Sequence, residues 1–397
     1  MRSLVLLFVF VTSAHGEIQV FFCPSKDVPE AIESALNGAT ETIDLAIYSF
    51  TDARLQTRLI NAAKRGIVVR VLLDDAPKSK LSPKLEDAGI DVRYVTNVMH
   101  HKFVVVDGAV EKPLLLTGSS NWARTSYTRF DDDLLRIDEL PYIEAFRVEF
   151  EGIWEHSREF GSTIHPPRKL SPAEFGGVLF TSANFSPSTY RGEPSYQAGK
   201  QLPGVCGQRI IESIESARKS IKIASTHFRR EDIAIALAQA AARGVAVELL
   251  LDAQEYHSSR TKIANARYDE ALPEKGVQVR YKFSSPYWDY QTALQMHCKY
   301  VIVDDSEVLT GSLNLSANSE LRSFENLVTL TDKKAVAAYA SRFRLKWDYG
   351  NGEFAKLIQQ IKNAGGTAPC NFSPISIDAK QVAELRRTYA RNACRKQ

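Results

Sequence analysis

The sequence has little net charge and no recognisable metal-ligand spacing. Its 50 lysines and arginines are almost balanced by 47 aspartates and glutamates, which leaves a formal charge of +3 over 397 residues. That balance argues against a strong non-specific binder of polyanions, although it leaves room for a local basic patch. No Cys-x2-Cys or His-x3-His pair occurs, so the sequence predicts no zinc site.

Long hydrophobic runs are also lacking, except at the start of the chain. Met1-Arg2 is followed by an apolar run at residues 4–11 and by the small-residue site Ala14-His15-Gly16. This order predicts a secretory signal peptide over residues 1–16, and hence a secreted or periplasmic protein. A buried first strand is the alternative. No later run approaches the roughly 20 apolar residues that span a bilayer, so we expect the mature chain to be soluble.

Cysteine is scarce, and its number is odd. The five cysteines all follow the predicted cleavage site, and an exported protein can oxidise them. An odd number leaves at least one thiol unpaired. We expect Cys298 to be free. The pairing of the other four is left open; they are Cys23, Cys206, Cys370 and Cys394.

What the chain does contain is an internal duplication. Residues 39–74 align without a gap on residues 217–252, a constant shift of 178, and residues 118–154 align on residues 311–347 with a shift of 193. The second copy carries 19 extra residues between Asp252 and His297. The length, with 44% apolar and 24% charged residues, suits two globular domains that each bury a core.

Both copies show the same succession of local patterns. In the first copy, residues 42–48 indicate a strand, apolar residues at helical spacing follow as far as Lys64-Arg65-Gly66, and residues 67–73 indicate another strand. This order predicts a parallel crossover unit covered by helices, and therefore an α/β protein.

The duplication also sets the domain boundaries. The first domain is placed at residues 17–162, a stiff polar linker at 163–176 and the second domain at 177–364. A C-terminal tail at 365–397 contains a predicted helix, Ala379–Ala393. The loop at residues 188–204 has no counterpart of similar length in the first half.

Each copy carries polar residues at one spacing, His-x-Lys-x4-Asp followed by Gly-Ser-x-Asn. The members are His100, Lys102, Asp107, Ser119 and Asn121 in the first copy and His297, Lys299, Asp304, Ser312 and Asn314 in the second. Residues two apart in a strand project to the same side, so each copy presents an imidazole and an ammonium group together. Two such sets are hard to explain as surface decoration.

These residue types suit a phosphate group in a partly dry cleft. Lysines supply positive charge, and the amides of Asn121 and Asn314 supply donors, together with Ser119 and Ser312. One histidine can attack phosphorus through a neutral ring nitrogen while a second protonates the leaving oxygen. We therefore predict a catalytic site that needs neither a metal nor a cofactor.

Carboxylates complete the predicted site. Asp132 and Glu325 lie 11 residues after Asn121 and Asn314, where they could orient the histidines, although a solvated acidic turn is the alternative. Asp107 and Asp304 are counted with the catalytic residues as members of the motif. Their place at the end of a strand also fits a turn-forming role.

The neighbours of the two histidines raise one ambiguity. Spacing selects His100 over His101, because strand alternation directs His101 to the opposite face. Cys298 takes the place of His101 in the second copy, so we expect it beside the site without sharing it. A thiol nucleophile is the alternative.

The residues above resemble the signature of the phospholipase D superfamily, and the resemblance covers nearly the whole mature chain. It implies two tandem α-β-α domains related by a pseudo-two-fold axis, with both motifs lining one cleft. It also implies metal-independent hydrolysis of a phosphodiester in two steps through a phosphohistidine. By that resemblance His100 is the nucleophile and His297 the acid and then the base, although the family does not always assign the roles in this order. Lys102, Lys299, Asn121 and Asn314 would bind the phosphate.

The substrate is the least determined feature. Residues 46–51 and the compact first half look like the small secreted bacterial nucleases of this superfamily, which carry one motif per chain and dimerise. We therefore expect a nuclease that cleaves DNA or RNA and is active as a monomer; a phospholipase D acting on phosphatidyl lipids is the alternative, and a non-catalytic binding module is a third. The insertion contains Tyr287-Trp288-Asp289-Tyr290. Three interpretations stay open: a loop that covers a lipid-binding cleft, a platform that stacks bases, or an ordinary packed loop.

Overall fold

A computed structural model describes residues 16–110, 112–170, 176–253, 268–285, 293–367 and 372–388. Nearly all of the predicted signal peptide, the aromatic segment 287–290, Cys370 and Cys394 lie outside these residues. Within the described ranges, no helix is long and apolar enough to cross a membrane.

The first half forms a mixed sheet of eight strands in the order β1-β8-β7-β6-β2-β3-β4-β9. Its strands are β1 (Ile18–Phe22), β2 (Thr42–Ile47), β3 (Val68–Leu73), β4 (Asp91–Tyr94), β6 (Lys102–Val106), β7 (Leu114–Gly118), β8 (Asp133–Ile137) and β9 (Arg158–Glu159), with a separate short strand β5 (Val98–Met99). Its helices are α1 (Asp27–Gly38), α2 (Ala53–Lys64), α3 (Ser82–Glu86), α4 (Arg124–Thr128) and α5 (Leu140–Glu155).

The second half repeats this topology in a sheet ordered β10-β21-β18-β17-β13-β15-β16-β22. The strands of the second half are β10 (Val178–Phe180), β11 (Ser186–Tyr190), β12 (Glu193–Gln197), β13 (Ser220–Ser225), β14 (Phe228–Arg229), β15 (Ala246–Asp252), β16 (Gln278–Phe283), β17 (Lys299–Val303), β18 (Glu307–Gly311), β19 (Leu315–Ser316), β20 (Ser323–Phe324), β21 (Asn326–Leu330) and β22 (Ile375–Asp378). Its helices are α6 (Gly204–Ser216), α7 (Glu231–Ala242), α8 (Ala317–Arg322), α9 (Lys333–Trp347), α10 (Glu353–Asn363) and α11 (Ala379–Thr388).

The predicted crossover unit is present in both halves. In the first, β2 and β3 pair in parallel with Ile43 opposite Val69, and α2 connects them. The side chain of Asp52 caps the first turn of α2 by accepting a hydrogen bond from the Arg54 amide. The helix ends before Gly66, whose φ of +91° suits a residue without a Cβ. Local sequence signals therefore produce these elements.

Two segments differ from the sequence expectation. The loop at residues 188–204 is partly a β-hairpin, because β11 and β12 pair antiparallel across Tyr190 and Glu193. The tail is not separate from the second domain. Strand β22 pairs antiparallel with β16, and α11 buries Val382 and Leu385 against the same core, so residues beyond 364 complete the second sheet.

The buried apolar side chains of the described residues form three cores. One belongs to the α1–α2 side of the first sheet and one to the α6–α7 side of the second. The third contains residues of both halves, among them the equivalent pairs Phe150 with Trp154 in α5 and Phe343 with Trp347 in α9, whose ring centroids lie 5.3 and 5.5 Å apart. Because this core is shared, the two sheets are fixed relative to each other.

Candidate active site

Short pairings between the halves bring the two motifs to one place. Strand β5, which immediately precedes His100, pairs in parallel with β20 of the second half. In the same way, an isolated parallel bridge joins Met296, which precedes His297, to Asp131 of the first half. Each histidine therefore enters the site beside a segment of the other half.

Backbone hydrogen bonds fix the position of each histidine. The amide of His100 donates to the carbonyl of Phe324 at 3.1 Å, and the amide of His297 donates to the carbonyl of Asp131 at 2.9 Å. The accepting residues directly precede the carboxylates Glu325 and Asp132. The same backbone contact is thus made twice, once on each side of the pseudo-two-fold axis.

A second pair of carboxylates holds the residue before each histidine. The amide of Met99 donates to Asp74 at 2.7 Å, and the amide of Met296 donates to Asp252 at 2.6 Å. Asp74 directly follows β3, and Asp252 is the last residue of β15. The two aspartates occupy equivalent positions in the duplication. In each half, the backbone amides of the histidine and of the residue before it are therefore both hydrogen-bonded.

The ring contacts cross between the halves. Nδ1 of His100 lies 2.8 Å from Oε2 of Glu325, and Nδ1 of His297 lies 2.7 Å from Oδ1 of Asp132. A carboxylate at Nδ1 assigns the proton to that nitrogen and leaves Nε2 with its lone pair in the neutral ring. The sequence identified both carboxylates as histidine-orienting; the structure shows that each one serves the histidine of the other copy.

Both lysines are buried beside their histidines. Nζ of Lys102 donates to the carbonyl of His100 at 2.6 Å, and Nζ of Lys299 makes the equivalent contact with His297. Burial lowers the pKa of Lys102 to about 7, opposed by the charge of Glu325, and burial also lowers the pKa of Lys299. An ammonium group in such a position is poorly solvated, so an incoming anion would stabilise it strongly.

Burial and nearby positive charge keep the histidines neutral. The side chains of His100 and His297 are only 12% and 14% exposed. Burial, with the charges of Lys102 and Lys299, holds the pKa of His100 well below its usual range, and burial lowers that of His297 to about 4 although Asp132 acts in the opposite direction. Since both lysines act on His100, the two motifs form one electrostatic site.

Glu325 is fully buried, and burial raises its pKa to about 7, with Lys102 acting against the shift. A carboxylate that is poorly stabilised by itself gains from a neighbouring imidazolium. The arrangement thus favours a positive charge on the ring when negative charge from a substrate enters the cleft.

The hydroxyls of the two serines that were predicted to bind phosphate contact groups behind the histidines. Ser119 is buried, its Oγ lies 2.7 Å from Asp132 Oδ1 and 2.5 Å from Asp133 Oδ1, and it accepts the Asp133 amide. Ser312 accepts a hydrogen bond from the amide of Asn326, the residue that follows Glu325. The serines therefore position the carboxylates behind the histidines. Spacing alone could not show which way their hydroxyls point.

The two asparagines remain suitable for a ligand. Oδ1 of Asn121 and Oδ1 of Asn314 are buried and have no hydrogen-bond partner in the described structure. Buried amides are almost always paired, so a pair of unsatisfied ones at equivalent positions is unusual. An amide oxygen accepts hydrogen bonds, so a phosphate would be bound by Nδ2 of each side chain, and that contact stays a prediction.

Asp107 and Asp304, which the motif placed among the catalytic residues, have a structural role. Asp107 accepts hydrogen bonds from the amides of residues 40–42 and from the Thr40 hydroxyl, and these contacts lower its pKa against the effect of burial. Asp304 accepts the equivalent amides of residues 218–220. Both have positive φ, +51° and +52°, and lie at the opposite end of the strand from the histidine.

The alternatives at the neighbouring positions are also resolved. His101 is fully buried and away from the cleft, with Nε2 3.1 Å from Glu149 and Nδ1 3.1 Å from Asn326. Cys298 is a buried free thiol whose pKa is raised by burial. It is therefore a poor nucleophile. Cys23 and Cys206 are also free and buried.

Two aromatic side chains at the site, those of Tyr48 and Phe130, were not predicted from the sequence. The ring of Tyr48 lies 4.7 Å from that of His100 and 5.2 Å from Nζ of Lys102, and the ring of Phe130 lies 5.9 Å from that of His297. Tyr48 directly follows β2 within the duplicated block, and this position was the one feature of the sequence that could have indicated a place at the site. Among the described residues, no group of three or more histidine, cysteine, aspartate or glutamate side chains is arranged to hold a metal ion.

The fold and the site define a duplicated α/β protein that brings two histidine–lysine sets together where its halves meet. A family model described as "Cardiolipin synthase, PLD-like domain" matches residues 32–154 and 210–347, well over half of the chain. The chain belongs to this family of the phospholipase D superfamily, in agreement with the resemblance in its motifs.

Individual relatives support the same family. The chain is 36% identical over 126 residues to mitochondrial cardiolipin hydrolase of Xenopus laevis, across 30% of this chain and 58% of the relative. It is 28% identical over 352 residues to cardiolipin synthase of Halalkalibacterium halodurans, across 81% of this chain and 64% of the relative. The matches thus span between about half and two thirds of these relatives.

One solved structure matches almost the whole fold. Polyphosphate kinase from Porphyromonas gingivalis superposes with a TM-score of 0.57 at 14% identity, over 92% of this chain and 49% of that one. At this identity the similarity concerns the fold alone.

Proposed function

We propose that the protein is a phosphodiesterase that acts on phosphatidyl lipids through a phosphohistidine intermediate. The observation that carries the chemistry is the pair of crossed contacts, His100 with Glu325 and His297 with Asp132, in one cleft with two buried lysines. Relatives whose names refer to cardiolipin favour a lipid substrate over the nucleic acid that the sequence analysis placed first. The small net charge of +3 agrees with that preference.

The geometry accounts for both steps. In the first, Nε2 of His100 attacks phosphorus, the bond to the leaving alcohol breaks, and His297, protonated in the complex with the anion, gives its Nε2 proton to the leaving oxygen. In the second, neutral His297 takes a proton from water while the water oxygen attacks phosphorus and the P–N bond breaks. Lys102 and Lys299 offset the charge on the non-bridging oxygens.

A single chain suffices for this reaction, because it supplies both histidines and both orienting carboxylates. We also propose that the protein acts outside the cytoplasm, on the basis of the signal-peptide pattern in residues 1–16.

The substrate is tested with the purified protein in chelator, offered cardiolipin vesicles, phosphatidylcholine vesicles, single-stranded DNA and RNA. We expect headgroup release from vesicles, its loss in His100→Ala, and near-native turnover in the control His165→Ala, a residue whose hydrogen bonds to Arg93, Trp154 and Asp91 come from its main chain. Cleaved nucleic acid with intact vesicles would replace the lipid proposal by the nuclease. Activity that disappears in chelator and returns with added metal would contradict the mechanism.

The roles of the histidines are tested by trapping. With a substrate labelled in the phosphatidyl group, His297→Ala should accumulate labelled protein, because hydrolysis of the phosphohistidine lacks its base. Label on His100→Ala instead would exchange the two assignments.

A further inference from the structure

Behind His297 lies a buried cluster of one carboxylate and three cations. Nζ of Lys282 lies 2.6 Å from Oδ2 of Asp131, Nζ of Lys346 contacts Oδ1, and Nη2 of Arg342 lies 3.4 Å from Oδ1. Asp131, Lys282 and Lys346 are each less than a tenth exposed. The cations belong to β16 and α9 of the second half, whereas Asp131 belongs to the first.

Asp131 and the residue that follows it hold the main chain and the ring of His297. Its carbonyl accepts the amides of His297 and Cys298, at 2.9 and 2.6 Å. The next residue, Asp132, binds Nδ1 of the His297 ring. A displacement of the Asp131 backbone would therefore move both the main chain and the ring of this histidine.

The equivalents of Asp131 and of its two lysines behind His100 are apolar, and the equivalent of Arg342 is Glu149, which contacts His101 instead. The duplication aligns Asp131 with Phe324 and Lys346 with Ile153, and the strand registers align Lys282 with Val95. The ring of Phe324 packs against Phe185 and Tyr196 with centroids 5.0 Å apart in each case.

The same backbone contact is thus supported by apolar packing on one side and by ions on the other. Since apolar residues suffice at the first position, the fold itself does not require buried charge at the second. Buried ion pairs are weak sources of stability, but removing one partner is costly and their geometry is directional.

We propose that Asp131 is a positioning residue for His297, which acts through an ionic clamp made of Asp131, Lys282 and Lys346. The clamp joins two elements of the second half to the first-half segment that carries Asp132. It rests on the proposed function only in that His297 is one of the two reacting histidines.

The test uses the full chain with 15N-labelled histidine and reads the low-field Nδ1 protons of His100 and His297, assigned by their loss in the alanine variants. In Asp131→Asn the His297 proton should shift or vanish while the His100 proton stays unchanged. Turnover of cardiolipin vesicles should fall roughly 10- to 100-fold through kcat, with KM nearly constant, because misplacement of a reacting group impairs the chemical step. Lys356→Gln, which removes an exposed ion pair with Glu353, is the control and should change neither readout.

A second variant separates positioning from folding. Asp131→Asn with Lys282→Met removes an uncompensated cation and should recover thermal stability, yet the His297 signal should remain altered. An unchanged His297 signal in either folded variant, or equal changes at both histidines, would overturn the clamp. The signals are read without substrate, so absence of lipid turnover in the native protein would refute the proposed function alone.

Discussion

At the scale of single residues, burial determines the chemistry of the site. His100, His297 and Glu325 are all kept away from water. The pKa values of the two histidines are lowered and that of Glu325 is raised, so the neutral form of each group is favoured. Ionised groups are disfavoured in such surroundings until a counter-charge arrives. The site therefore favours the binding of an anion, at some cost in stability.

Glu325→Gln should separate that cost from activity. The folded pKa of Glu325 is raised to about 7 from 4.5, so the native protein loses stability as pH rises between these values, and the variant escapes the loss. We expect the variant to be more stable than the native protein by on the order of 1–3 kcal/mol at pH 8 and by little at pH 4.5. Its turnover should fall about 10²- to 10⁴-fold, because the amide cannot stabilise an imidazolium.

Chemical unfolding at the two pH values and vesicle turnover provide the measurements. The exposed substitution Glu274→Gln is the control and should alter neither. A variant that loses stability at pH 8 relative to the native protein would show that Glu325 is well stabilised as an anion.

At the scale of elements, β6 and β17 each connect the chemistry to a structural anchor. The strand begins next to the histidine and ends at an aspartate that accepts the amides leading into β2 or β13. The His-x-Lys-x4-Asp spacing therefore corresponds to the length of one strand. The histidine end of the strand lies at the site, and the aspartate end anchors the neighbouring main chain.

Asp107→Asn should weaken the anchor without affecting the reaction. Loss of the ionised acceptor for three amides should reduce the free energy of unfolding by about 1–3 kcal/mol at neutral pH. The lowered pKa of Asp107 places this contribution at neutral pH, and it is lost as pH falls through the folded pKa. Unfolding and turnover per folded molecule are measured together, with Asp304→Asn as the matched variant. A drop of tenfold or more in kcat would restore a catalytic role.

At the scale of the whole molecule, the site exists only because the halves meet. Each histidine receives its carboxylate from the other half, and the shared core joins α5 to α9. The clamp also makes the pairing selective. In a pair of first halves, Asp131 would face Val95 and Ile153 in place of lysines, and a buried unpaired charge is strongly unfavourable.

Residues 16–170 and 176–397, produced as separate chains, should therefore be inactive alone and active when co-expressed. Tagged pull-down should recover one copy of each, and vesicle turnover should reappear in that complex. Asp131→Phe in the first fragment removes the obstacle to self-pairing and should increase its self-association. A first fragment that is active by itself would refute the dependence on both halves.

The sequence by itself determined the duplication, the α/β class and the identity of the histidines, lysines and orienting carboxylates, because spacing along a strand and repetition are local and visible. Only the tertiary structure decided that His100 is served by Glu325 and His297 by Asp132, since partners 225 and 165 residues apart leave no mark in spacing. The same reason explains why spacing could not show that the Ser119 hydroxyl contacts Asp132 and Asp133, or that Asp107 accepts the amides of residues 40–42. It also explains why the clamp around Asp131, drawn from distant segments of both halves, was not foreseen.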